Sequence, residues 1–274
     1  MTGRTGVTGS ALLRLLHRLA GSGAGPDATN PNDTQQDFAE QLSQWLRWTD
    51  AVRFSAALDA RPEVPAPVAA EPGGLDAAEA RQVRDTLAAA IAEDARAVAA
   101  MTLIGVAPQD PKAAAADAAI CRQRYASRQY AMGQSIGRLR ERLRARMAQR
   151  SPELARLAAV DAVLEDVLGT QEQRLLGPLP GLLGRRFERL QRADDAEARA
   201  AAAAAAEAPA EENTAAATPA VAPEGRRWLP AFSQDMHTLL LAELEIRFHP
   251  VQGLVEALRQ GRADGVAPQE TTTT

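Results

Sequence analysis

The chain has 274 residues, a formal net charge of −4 at pH 7, 46% hydrophobic residues and only 4% aromatics. Alanine fills 60 positions and leucine 30, against 19 for valine and isoleucine together, a balance that disfavours sheet and favours helix. The single cysteine, Cys121, excludes an intramolecular disulfide and argues against a thiolate zinc centre, while the length sets a prior of one to two domains.

In chain order, Ser10 to Ala20 reads as a short helix, with Ser10 as cap and Gly21 as stop. Leu12, Leu13, Leu15, Leu16 and Leu19 form an apolar cluster there. Arg14, His17 and Arg18 interrupt it, so no secretory signal is expected. The segment reads as a core helix or as one lying on a membrane surface. After a Gly/Pro/Asn/Asp-rich loop, Phe38, Leu42, Trp45, Leu46, Thr49 and Val52 recur at steps of three and four, which predicts a helix ending near Asp59. Pro62, Pro65, Pro67 and Pro72 make the following stretch a linker.

The middle of the chain is the most regular. Ala78, Val83, Leu87, Ile91 and Val98 predict a helix from Leu75 to about residue 106, and Pro108 and Pro111 bracket a turn. A longer helix is expected from Ala113 to Arg150, with Cys121, Tyr125, Met132, Ile136, Leu139, Leu143 and Met147 on one narrow stripe and Arg128 in one of its slots. So narrow a seam is what a coiled-coil contact uses.

Ser151-Pro152-Glu153 is a strong helix start, combining a hydroxyl cap, proline at the first turn and an acid at the positive end. That helix is expected to bury Leu154, Leu157, Val160, Leu164 and Val167 and to stop at Gly169. Another starts near Thr170, breaks at Gly177 to Gly181 and resumes from Leu182. Asp194 to Gly225 is low-complexity and reads as a tether, although the run Ala201 to Ala206 is able to extend the preceding helix. Ser233 is expected to cap a helix carrying Met236, Leu240, Leu241, Leu244 and Phe248. Pro250 is expected to start the last helix, with Val251, Leu254, Val255 and Leu258, and Gly261 to end it.

The fold class is therefore all-α: a long antiparallel, coiled-coil-like helical hairpin of 75–106 and 113–150, with shorter helices packed around it and disordered linkers. The parts are an N-terminal helical segment (8–60), a Pro-rich linker (61–74), a central bundle (75–192), a low-complexity linker (193–227), a C-terminal helical hairpin (228–261) and a tail (262–274). Trp228 and Phe232 are expected to dock the C-terminal hairpin onto the long pair.

Catalytic signals are weak. Gly133-Gln134-Ser135-Ile136-Gly137 matches a nucleophile elbow, but no strand precedes it and the helical spacing runs straight through. Its two glycines read better as a place where a neighbouring backbone comes close. His17, His237 and His249 show no metal-ligand spacing, and His249 reads as a dipole partner at a helix C-terminus. Gly21 to Gly25 lacks the lysine and the strand of a phosphate loop. Cys121 reads as a small packed side chain. No catalytic residue, cofactor or metal is expected, and the chain is not expected to be an enzyme.

Charge is the strongest signal. Residues 120–150 carry nine arginines and one acid, Glu141, for a local net of +8. Arg122, Arg124, Arg128, Arg138, Arg140, Arg142, Arg144 and Arg146 form either a basic surface for nucleic acid, with Tyr125 and Tyr130 to stack, or the pairing face of a hairpin. In the second, favoured case they meet Asp76, Glu79, Asp85, Glu93 and Asp94 of the preceding helix. Trp45 and Trp48 read as core anchors first and as a partner-binding hot spot second; with Tyr125 and Tyr130 they make the candidate partner surface. The uncharged run Ala97 to Gln109 falls far short of the roughly 20 residues that span a bilayer, so no transmembrane segment and a cytoplasmic location are expected.

Four strings are distinctive: Phe38 to Leu46 with Trp48-Thr49-Asp50-Ala51; Ser151 to Leu157; Phe187-Glu188-Arg189-Leu190; and Asp235-Met236 through Leu241 to Leu244, ending at Pro250 to Leu254. On these the chain resembles a proteobacterial, mostly betaproteobacterial, family classed as a domain of unknown function, over about 8–60 and 75–260. The resemblance brings no catalytic residue or ligand. Genes of that family sit beside predicted envelope proteins, an OmpA-like one among them, which implies a cytoplasmic accessory to an envelope assembly. The leading expectation is a non-enzymatic interaction or scaffold protein with a protein partner or copies of itself. The alternative is a nucleic-acid-binding protein using the Arg-rich helix.

Overall fold

The computed structural model describes residues 48–59, 74–101, 111–207 and 226–263. Trp45, His17, the helix expected at 10–20, most of the linker expected at 61–74 and the tail from 264 onward lie outside the described residues. Among the described residues there are six helices and no strand: α1 (Trp48–Asp59), α2 (Leu75–Ala100), α3 (Pro111–Ala148), α4 (Pro152–Leu176), α5 (Leu179–Glu207) and α6 (Leu229–Ala263).

The stripe read from α3 is its buried face: Cys121, Tyr125, Met132, Ile136, Leu139, Leu143 and Met147 are all buried, and Ala114 and Ala118 extend it toward the N-terminus. Polar contacts fix the directions of the helices. Asp76 meets Arg146 and Asp94 meets Arg124 and Arg128, so α2 and α3 are antiparallel, forming the expected long hairpin. Tyr125 meets Glu243 and Arg150 meets the Leu258 carbonyl, so α6 runs parallel to α3. Ser233 and Arg84 tie α6 antiparallel to α2, through Ala95 O and Glu245. The α2–α6 and α3–α6 interfaces are both more extensive than α2–α3, so the apolar seam closes around α6 as a third helix. On its other flank α3 carries α4 and α5, and α1 lies on α4.

The expected C-terminal hairpin is instead one helix that runs through Pro250. Proline removes one helical hydrogen bond and crowds the carbonyl four residues before it, a cost of about 3 kcal/mol. Here Phe248, Val251, Leu254 and Leu258 are buried on both sides of it, and each fully buried apolar side chain contributes about 1.5–3 kcal/mol, so packing outweighs the defect. Two other expected stops are also passed, the first for the same reason. Gly169 lies inside α4, which continues to the buried Leu176, and Gly261 lies inside α6. Gly261 lets Leu154 pack close: a Cβ there would stand 2.9 Å from Leu154 Cδ1, so that side chain would have to shift. The alanine run does extend α5, which reaches Glu207 within the stretch read as tether.

Ser151 caps α4 as expected, its side chain accepting from Leu154 N at 3.2 Å with Pro152 in the first turn. Ser233 does not cap: it lies inside α6 and donates to Ala95 O at 2.7 Å. Trp228 and Phe232 dock the start of α6 against Phe187 of α5, with edge-to-face ring centroids 4.6 and 5.2 Å from it.

Candidate functional site

The arginines of α3 form a dense cluster of charge among the described residues, and six of the nine from 122 to 150 pair with carboxylates of neighbouring helices. Arg146 holds Asp76 and Glu79, and Arg142 holds Glu79. Arg124 and Arg128 share Asp94 at 3.2 and 2.5 Å. Thus three of the five acids expected as partners on α2 do pair with α3, whereas Glu93 pairs with Arg96 of its own helix. Arg140 and Arg144 face the other way, gripping Asp161 and Glu165 of α4. Arg140 is buried, which removes it from any basic surface. Burial raises the Glu79 carboxyl, but hydrogen bonds from Arg146 and Arg142 outweigh it and hold the group below its ordinary value.

A second cluster sits deeper, where α3, α4 and α6 meet. Glu243 is fully buried. It accepts from the Tyr125 hydroxyl at 2.9 Å and from Gln129 Nε2 at 3.0 Å, and from Arg247 Nε at 2.9 Å. Gln129 also donates to Leu176 O, and Arg247 reaches Glu172 at 2.6 Å. Burial, then the Glu243 charge, pushes the Tyr125 phenol up. Burial likewise raises Glu172, against the pull of Arg247. Gly133 stands against this cluster: its missing Cβ would lie 3.5 Å from the Arg247 guanidinium. That is an ordinary contact distance, and Gly137 has open space around it, so neither glycine of the elbow-like motif marks a close approach of a neighbouring backbone. Ser135 lies within continuous helix.

The aromatic expectations separate. Tyr125, read as part of a partner or stacking surface, is buried and bonded to Glu243. Tyr130 is exposed. Trp48 opens α1, and Trp45 is outside the described residues. Cys121 is buried, and burial pushes its thiol up to about 12. His249 lies mid-helix, fourteen residues before the end of α6, so a terminal dipole role does not apply. Among the described residues no group of three or more His, Cys, Asp or Glu is placed to hold a metal ion.

A surface groove of about 800 Å³ runs along the outer side of α3, reaching Asp94 of α2 and lined by Ile120, Gln123, Arg124, Ser127 and Arg128. Sequence reasoning missed Asp161, Glu165, Glu172 and Glu243 as partners. The available signal was a carboxylate in register with an apolar stripe, as Glu243 is with Met236, Leu239 and Leu240.

A family model described as protein of unknown function (DUF3348) matches residues 1–260. No curated protein and no solved structure matches the chain.

Proposed function

Taking as premise that the chain belongs to the DUF3348 family, we propose that it is a non-enzymatic helical scaffold of the cytoplasm, accessory to an envelope-associated assembly, which presents helix surface to a protein partner or to its own copies. The observation that carries this reading is how the bundle distributes its side chains. The charge of α3 is spent on internal pairs, while large apolar side chains stand outside: Tyr130 is 71% exposed and Leu175 63%, with Ile120 and Leu157 also exposed. Exposed aromatic and aliphatic anchors on a rigid frame are what protein interfaces use. No described helix is long and apolar enough to cross a membrane.

The same distribution weighs against nucleic acid. Of the nine arginines from 122 to 150, six are ion-paired and Arg150 donates to a carbonyl. Arg122 and Arg138 have no carboxylate partner among the described residues. They stand about 24 Å apart along the helix and about 160° around it, which is no continuous phosphate track.

The test is a nuclease-treated pull-down of the full chain from its host, with mass spectrometry, light scattering and absorbance at 260 and 280 nm before treatment. The expected result is a stoichiometric protein partner that survives nuclease, or a defined homo-oligomer. A strict monomer with no partner overturns the scaffold reading. Nucleic acid alone, lost on treatment, replaces it with binding through α3.

A further inference from the structure

The groove on α3 has a definite chemistry. At its wall one buried carboxylate, Asp94, accepts from both Arg124 Nη1 and Arg128 Nε. Two guanidiniums on one carboxylate leave a local charge of +1, and each retains N–H donors beyond the one it gives to Asp94. Asp94 thereby fixes the arginines in place before any ligand arrives, which lowers the ordering cost of binding. Beside them the exposed Ile120 supplies an apolar wall. Gln123 and Ser127, hydrogen-bonded to each other at 3.4 Å, complete the polar lining.

From this arrangement we infer that the groove docks an acidic segment of a protein partner, with a carboxylate side chain bridging Arg124 and Arg128 and an apolar side chain against Ile120. Its dimensions favour a peptide over a small molecule. From Ala119 to Ala131 the groove follows α3 for about 18 Å, the length of five or six extended residues at about 3.3 Å each. It is open along that length, whereas small-molecule sites enclose most of their ligand. Charge complementarity selects the partner: carboxylates gain a bidentate, charge-assisted hydrogen bond there, and basic segments are repelled. This inference rests on the scaffold reading and specifies one surface of it.

The experiment is selection of random twelve-residue displayed peptides on the full chain, followed by affinity measurement with the selected peptides. Enrichment in Asp and Glu beside an apolar residue is expected. Arg124→Gln with Arg128→Gln strips Asp94 of its partners and is able to unfold the hairpin, so circular dichroism accompanies it. Ser127→Glu and Ile120→Glu are the second pair of variants, because both side chains are exposed and neither makes an ion pair. Each is expected to weaken binding by about tenfold or more, as anchor losses do, with affinity falling as salt rises. Arg122→Gln, the same loss of charge on the opposite side of α3, is expected to bind as the parent chain does. Peptides without acidic enrichment, no selected peptide, or equal binding by all variants overturns the proposal. So does a single-stranded oligonucleotide that binds this face more tightly than any peptide. If the groove fails while a Ser127→Glu chain still retrieves its nuclease-resistant partner, the scaffold reading stands. If the parent chain is a strict monomer that retrieves no partner, both fall.

Discussion

On the α2 side of α3, Arg142 and Arg146 pair with Glu79 and Asp76 while remaining 46% and 40% exposed. On the α4 side, Arg140 and Arg144 pair with Asp161 and Glu165 at 10% and 16%. Side-chain type and sequence neighbourhood are the same; burial is not. Exposed pairs gain about 0–1 kcal/mol and weaken with salt. Buried ones gain little over an apolar replacement, but are expensive to break, because the surviving charge has neither water nor partner. The Glu243 cluster is the extreme of the second kind. The Arg142–Glu79 pair on the α2 side is therefore adjustable, whereas the pairs facing α4 and α6 set helix register.

The largest expected effect comes from Glu243→Ala, which strands the Tyr125 hydroxyl, Gln129 and Arg247 at once. A loss of about 3–5 kcal/mol is expected from urea unfolding followed by circular dichroism. Glu243→Gln, which keeps an acceptor but not the charge, should cost less. A Glu243→Ala chain as stable as the parent would remove the distinction between the two sides.

Arg140→Met comes next. Asp161 keeps Arg144 but loses one charged hydrogen bond, for about 2 kcal/mol in the same measurement. An effect no larger than that of Arg142→Ala would mean the α4 side is solvated like the α2 side.

Glu79→Gln should cost below about 1 kcal/mol at pH 7, with a pH dependence of known sign. The folded carboxyl lies below its ordinary value of 4.5, so its contribution is present above pH 4.5 and is lost as pH falls through the folded value. Thermal melts of parent and variant should converge in acid. A gap that widens in acid would reverse the assignment.

The smallest signal is kinetic. Cys121 is buried with its thiol pushed up to about 12, so a disulfide reagent at pH 8 should label it only through opening of the bundle. Arg142→Ala should leave that rate near the parent's, whereas Glu243→Ala should raise it.

Much of this was legible locally. The α3 stripe, the Ser151-Pro152 start and the hairpin follow from spacing and capping, which involve residues a few positions apart. Asp76, Glu79 and Asp94 were identifiable as partners of α3 because the two helices are consecutive. Glu243 was not, since Tyr125 lies 118 positions away and nothing local marks which buried acid has a mate. Ser233 looked like a cap because a hydroxyl before an apolar run usually is one, yet its acceptor belongs to α2.

By itself, then, the sequence determined that the chain is helical, which face of α3 is buried and where α4 begins, because propensity, periodicity and capping act within a turn or two of the residue concerned. Tertiary packing decided what lay beyond that reach. It carried α4 through Gly169 and α6 through Pro250, since buried side chains on both sides of each defect outweigh its local cost. It also placed α6 along the hairpin and chose which arginines face α2, α4 or water. Those outcomes depend on contacts between residues that lie from 17 positions apart, as Arg144 and Asp161 do, to 138, as Ser233 and Ala95 do, and burial, not residue type, sets what each pair is worth.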